Sequence, residues 1–472
     1  MALKTSPVSP ISISKTLDQE VDGLLSGIKW LDDTNPPPSH LTITYSFPTA
    51  ADYESKYSGN YPSKNFMPFS SEDDIDAIKS VFNNIHEVTT LEFQDITGTS
   101  PKDAVIRLAK MDMSSEAVTF LPSTNPEGGD AWFSNSLLNP PDPSEPPPVG
   151  IGSYIYTDFL HELCHSLGLD HSFQGGKFGA TPNDSLEYSV TSYSSYEGAK
   201  TWYAVDGDFP QTLMMYDIAA LQYMYGANLE TNAGDTEYKW DPSNGDLSIN
   251  GVTDFVAEET NKIFMTIWDG GGIDKYDFSN YGTSEGCIID LRPGEWTKFS
   301  PGQLADLDGD TGTRLAAGNI ANSLAVDEGG KPVGSNGMPV NLIENVIGSP
   351  NNDVITGNDA ANQITGGDGN DRIVFKTPLS TNNVDHITDF NVNDDTIELD
   401  NNVFAALKEG VLTEEAFYVG SAAHDNSDRI IYDATTGAVY YDADGTGKTA
   451  AAVQFATVDT GLAITHSDFF IV

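Results

Sequence analysis

From Gly348 to Ile373 three residue types return every nine positions: Gly348, Gly357 and Gly366; Asp353, Asn362 and Asp371; Ile355, Ile364 and Ile373. That period constrains the fold more than any other feature of the chain. Six residues make a turn whose carbonyls and aspartate can hold Ca²⁺. The next three form a short strand with the aliphatic side chain facing inward, and the expected product is a parallel β-roll. Gly366-Gly367-Asp368-Gly369-Asn370-Asp371 is the cleanest copy, and Asp269-Gly270-Gly271-Gly272-Ile273-Asp274 is another upstream. The unit around Gly348 keeps Asp353 but lacks two glycines, and Glu344 holds the aspartate position one unit earlier. The array is therefore short and degenerate, with few clean calcium turns. A calcium-free solenoid is the competing reading. Asp442-Ala-Asp444-Gly445-Thr-Gly447 is either another oxygen-rich loop or a plain hairpin turn.

Charge supports calcium. The 472 residues carry 70 Asp and Glu against 23 Lys and Arg, a formal net charge of −47. Hard cations seek oxygen ligands. Phosphate binding needs a basic surface, so nucleic acid is excluded as a partner, and anionic membrane surfaces are disfavoured. No apolar run approaches the ~18 residues that span a bilayer. The length suggests two or three domains. Two cysteines, Cys164 and Cys287, do not make a disulfide scaffold, and Cys164 is expected to pack as a small apolar residue.

A second string is chemical. Thr157 to Ser172 contains His161-Glu162-x-x-His165-x-x-Gly168-x-x-His171, three of the eight histidines. His161 and His165 are one turn apart on a helix face and can grip one tetrahedral Zn²⁺. Ile155, Phe159, Leu163 and Leu167 give that helix an apolar stripe. Glu162 can reach a water on the metal. Gly168 is a natural helix stop, which lets His171 return as the third ligand. Three protein ligands leave a coordination position open, as in catalytic zinc sites.

This elongated motif is that of the metzincin metalloproteases, and the chain resembles their serralysin family from about residue 20 to Val472. The resemblance also rests on Tyr188-Ser-Val-Thr-Ser-Tyr193, on Asp217-Ile-Ala-Ala-Leu-Gln-Tyr-Met-Tyr-Gly-Ala-Asn228, on the glycine-aspartate nonapeptides and on Asp468-Phe-Phe-Ile-Val472. It implies that Tyr193 is a further zinc ligand that can stabilise an oxyanion. It implies too that Asn232, Gly234 and Thr236 share a calcium with Asp269 or its neighbours. One departure stands out: Thr191 occupies the place of a methionine that normally packs beneath the histidines, and a looser zinc floor is expected.

The expected architecture is multidomain. A propeptide-like segment, 1–25, precedes an α+β metzincin catalytic domain, 26–228, and an all-β parallel β-roll or β-sandwich calcium domain, 229–472. Strands are expected at Leu41–Phe47, Thr90–Ile96 and Ala104–Met111, with a helix starting at Ser71, a proline-rich loop over 139–148 and a closing helix from Tyr216 to Met224. Within the family an edge strand above the zinc helix pairs with extended substrate. The resemblance implies a secreted, monomeric endopeptidase of broad specificity with protein or peptide substrates. It would hold one catalytic Zn²⁺ and several structural Ca²⁺, with Glu162 and Tyr193 catalytic. Export would use a type I exporter reading Asp468–Val472, because residues 1–30 lack the apolar core of a secretory signal. The competing class is an inert calcium-binding surface or adhesion module with a vestigial zinc site.

Overall fold

The computed structural model describes residues 8–12, 19–32, 40–56, 66–138, 149–173, 183–256, 260–282, 285–309, 311–324 and 340–472. The proline-rich stretch 139–148 lies outside them. The chain is mostly β with few helices, and its described residues pack around two large hydrophobic cores and a small third cluster of Tyr53, Phe66, Ala109 and Trp132.

The first core sits between a twisted sheet and three helices. Strands β1 (Leu41–Ser46), β2 (Leu91–Asp95), β3 (Ile106–Met111), β4 (Ala117–Thr119) and β5 (Ala131–Ser134) lie in the order β2-β1-β3-β5-β4. These five pair in parallel except β4, which runs antiparallel to β5 and forms the edge; a two-residue strand, Phe66–Met67, also pairs antiparallel with β3. Strand alternation sends Ile43 and Tyr45 inward, where Phe82 stacks on Tyr45 at 4.2 Å. Phe82 belongs to helix α1 (Glu72–Val88), whose first turn is capped by Ser71 accepting from the Asp74 N–H at 3.3 Å.

Helix α2 (Tyr154–Leu167) carries the histidine string and is buried from Ile155 to Leu167. It has no solvent face. The stripe of Ile155, Phe159, Leu163 and Leu167 packs into the core, and the other faces line the site or meet neighbouring elements. Ser153 caps it by accepting from the Tyr156 N–H at 3.1 Å, and Phe159 meets Phe133 edge-on at 5.0 Å. Its last carbonyls are satisfied: Trp30 Nε1 donates to Ser166 O at 2.9 Å, and the Tyr225 hydroxyl donates to Leu167 O at 2.5 Å. Tyr225 ends helix α3 (Met215–Tyr225).

The second core lies between two sheets, largely parallel but edged by antiparallel strands, that the chain visits alternately from Lys275 to Leu399. One contains β6 (Glu237–Trp240), β7 (Lys275–Asp277), β9 (Asn345–Ile347), β11 (Gln363–Thr365), β13 (Asp385–Ile387) and β15 (Val453–Thr457). The other contains β8 (Ile288–Asp290), β10 (Val354–Thr356), β12 (Arg372–Phe375), β14 (Thr396–Leu399) and β16 (Phe469–Ile471). Register stacks Val346, Ile364 and Ile387 in the first sheet, and Ile355, Ile373, Ile397 and Phe469 in the second. All are at most 1% exposed. Neither sheet closes on itself.

Packing crosses both expected divisions of the chain. Within the propeptide-like segment 1–25, Val21, Leu24 and Leu25 are buried in the first core, and Leu24 O accepts the Asp170 N–H at 2.7 Å beside the histidine string. Beyond residue 228, Phe264, Trp268, Ala305, Leu307 and Ala316 also pack into the first core. Gln211 and Phe264 bond in both directions across this seam at 2.9 Å. Both cysteines are buried and free. The Asp442–Gly447 stretch connects antiparallel strands Ala438–Tyr441 and β15, as a hairpin turn would. Among the described residues, no helix is long and apolar enough to cross a membrane.

Candidate metal centre and substrate cleft

Helix geometry brings His161 and His165 onto one face, and the turn at Gly168 delivers His171. Gly168 has φ 108°, and a Cβ there would lie 2.2 Å from Ile28 O, so only glycine fits. The three Nε2 atoms converge: His165 is 3.0 Å from His161 and 3.2 Å from His171. His161 Nδ1 donates to Val190 O and His165 Nδ1 donates to Leu169 O, both at 2.8 Å. A carbonyl only accepts, so each Nδ1 holds the proton and each Nε2 turns a lone pair inward. Converging lone pairs with no proton between them fit a Lewis acid, and nitrogen donors in this number fit Zn²⁺. Burial, and then the neighbouring histidines, hold His161 well below the usual imidazole range; burial and His165 bring His171 down to about 4. Both shifts favour the neutral imidazole that a metal needs.

Glu162 is buried beside this centre. Burial raises its carboxyl, while His165 and the Thr119 hydroxyl on edge strand β4 lower it. Tyr193 is half exposed, with its ring stacked on His161 at 5.6 Å and edge-on to His171 at 4.7 Å. Asp184 ties the two sides together by accepting from Ser172, next to His171, and from Ser192, next to Tyr193.

The floor beneath the histidines differs from the expected loose one. Thr191 is fully buried and its hydroxyl lies 2.8 Å from Ser189 Oγ, which donates to Asp217 at 2.6 Å. Asp217 also accepts the Val190 N–H at 2.8 Å, and the Val190 carbonyl is the one that orients His161. The floor is hydrogen-bonded rather than thioether-packed. Burial raises Asp217 to about 7 against three donors that lower it.

A pocket of about 420 Å³ opens beside His161 and Glu162, walled by Glu116, Tyr154, Asp158, Tyr193, Lys200 and Trp202. Asp158, one turn before Glu162, is raised well above the carboxylate range by burial, then by Glu162 and Glu116. The sequence reading missed Asp158, Glu116 and Asp184, gave Asp217 no role beyond its motif, and did not place the expected edge strand at β4. Asp158 alone had a legible signal, its i, i+4 spacing to Glu162. A smaller cleft of about 230 Å³, between α1 and Leu247–Phe255, does not reach the histidines.

The oxygen-rich turns form two groups. In the first, the Thr236 hydroxyl meets Asn232 O at 3.2 Å and Gly234 O at 2.7 Å. Asp274 Oδ1 accepts the Thr236 N–H, Asp269 Oδ1 accepts the Gly271 N–H and Glu344 accepts the Asp274 N–H, each at 2.8 Å. A Cβ on Gly272 would lie 2.6 Å from Gly234 O. Asp274 Oδ2 is buried with no partner. In the second group Asp371 Oδ1 accepts the Asp353 N–H at 2.9 Å, while Oδ2 is again buried without a partner. Gly367 and Gly369, with φ of 105° and 133°, fold this turn. Bare, buried carboxylate oxygens among carbonyls fit a hard cation. Asp353 differs: the Cys287 N–H (2.6 Å), the Ser349 N–H (2.5 Å) and the Ser349 hydroxyl (2.7 Å) already occupy its oxygens.

Comparison with known proteins agrees with this geometry. Residues 227–302 match the peptidase M10 serralysin C-terminal family, and residues 343–375 match the RTX calcium-binding nonapeptide repeat. The chain is serralysin-like along most of its length. It is 29% identical to a serralysin of Proteus mirabilis over 68% of this chain and 60% of the relative. It is 28% identical to metalloprotease AprA of Pseudomonas entomophila over 74% and 65%, and 32% identical to serralysin B of Dickeya chrysanthemi over 40% and 38%. The chain thus spans less than two thirds of each of these relatives' own length.

Proposed function

We propose that the chain is a secreted zinc endopeptidase of broad specificity, with a metzincin-type catalytic half and a calcium-stabilised β-roll. One observation carries the reading: three converging Nε2 atoms with a buried glutamate beside them. His161, His165 and His171 would hold Zn²⁺, with Tyr193 within reach. When bound, the ion lowers the pKa of a coordinated water toward ~7 and polarises a carbonyl. Glu162, its carboxyl raised by burial, accepts the proton from water and passes it to the leaving amine. The Tyr193 hydroxyl donates to the substrate oxygen where negative charge develops. Extended substrate adds to β4, the edge strand among the described residues, which reads backbone and so permits many sequences.

Asn232, Gly234, Thr236, Asp269, Gly272, Asp274 and Glu344 would hold one calcium, and the turn of Gly367, Gly369 and Asp371 another. Calcium outside the cell would convert binding energy into folding energy after export of a monomer through a type I exporter. A removable N-terminal segment would end before Gln19.

Glu162→Gln should abolish casein cleavage, by at least about 10²-fold, while zinc measured by mass spectrometry stays near one per chain. Full cleavage by that variant sinks the reading. Zymography of the natural chain with and without a zinc chelator separates it from the inert-module alternative, which predicts no chelator-sensitive clearing.

A further inference from the structure

We infer that the pocket beside the histidines takes a basic side chain of the substrate, arginine or lysine, adjoining the cleaved bond, and that Asp158 selects it. This rests on the endopeptidase reading above. Asp158 is only 5% exposed, it lines the pocket, and its Oδ2 is buried with no hydrogen-bond partner. A buried oxygen left bare carries the full desolvation penalty. The Ser166 and Leu167 carbonyls of α2, by contrast, have donors within the fold. A donor that arrives with a ligand would complete Asp158.

The surroundings specify that donor. Glu116 adds a second carboxylate at the pocket mouth, where the Tyr154 hydroxyl donates to it. Lys200, the basic residue of the lining, is exposed at the rim, whereas Asp158 lies deep. The rings of Tyr154 and Trp202 meet edge-to-face at 5.2 Å, and Trp202 also flanks His161 at 5.8 Å. Aromatic walls suit the aliphatic stem and the cationic head of a long basic side chain. At about 420 Å³ the pocket has room for one. An apolar substrate side chain would leave the Asp158 oxygen bare and bury the neighbouring carboxylates further. Edge-strand pairing leaves other substrate positions free, so selection at one position coexists with breadth elsewhere.

The test has two arms on the zinc- and calcium-loaded chain. Casein cleavage is measured first, and cut sites in a mixed peptide library are then read. Arginine or lysine next to the cut bond should exceed leucine by about tenfold in kcat/KM, the worth of one hydrogen bond to a charged group. Asp158→Asn and Asp158→Thr should bring that ratio near one. Casein cleavage without basic enrichment in the natural chain overturns the inference. So does an undiminished ratio in either folded variant. If casein is not cut, the endopeptidase reading fails by itself. The pocket is then judged by calorimetry with Gly-Arg-Gly amide and Gly-Leu-Gly amide. About tenfold tighter binding of the arginine peptide supports it, and equal binding overturns it.

Discussion

Asn362 closes its turn with an amide where Asp274 and Asp371 leave an oxygen bare. Its Nδ2 donates to Glu344 O at 3.0 Å and Asn358 Oδ1 at 2.9 Å, and its backbone N–H donates to Asp385 Oδ1 at 3.0 Å. An NH₂ group does the work of a cation there, so this turn needs none. Asp385 is buried, which raises its carboxyl to about 7 against the Asn362 N–H that lowers it. The folded value lies above the unfolded one. The stability gained from the protonated form is complete below about pH 4 and is lost as pH rises through about 7. Asp385→Asn keeps an acceptor for Asn362 and removes the titration. Its melting temperature, at fixed calcium, should fall less between pH 4 and 8 than that of the natural chain; parallel curves would refute this. The same scale marks where sequence reading stopped. An aspartate in this place would read as a ligand and Asn362 reads as a weak copy, but only coordinates reveal the donated protons. Likewise Thr191 reads as a missing methionine, because its partners Ser189 and Asp217 are joined through space across 28 residues.

Helix α2 was legible almost residue by residue. Its metal spacing, its apolar stripe and its terminal glycine are all local facts. What was not legible is how it is held. Trp30 and Tyr225, from distant elements, bond its last carbonyls, and the short edge strand β4 beside Glu162 has only three residues and no alternation to betray it. Gly168 joins the local and the distant, since it ends the helix and lets Ile28 pass at contact. Gly168→Ala should therefore destabilise the chain by at least about 1–3 kcal/mol from backbone strain, with the clash on Ile28 O in addition. It should also release zinc at lower chelator concentration, because Leu169 O, which orients His165, follows directly. A variant with unchanged melting temperature and unchanged zinc retention would contradict this role.

For the molecule as a whole, the nine-residue period announced the coil, and the strands beginning at Asn345, Val354, Gln363 and Arg372 keep it. Beyond Phe375 the connections lengthen, so the later strands β13 and β14 join the same two sheets without the sequence rhythm that would reveal them. Contacts such as Asp274 to Glu344, across 70 residues, are equally silent in sequence. Alternation between the sheets nevertheless imposes a rule of parity. Removing Gly357–Thr365, nine residues, would make β12 the strand directly after β10, send it across to the opposite sheet and misplace everything after it. Removing Gly348–Thr365, eighteen residues, would excise one complete circuit and leave every later strand on its own side. The longer deletion should keep a cooperative, calcium-dependent melt and the shorter one should lose it, as circular dichroism would register. A coil of this kind can lengthen or shorten over evolutionary time only by pairs of its unit.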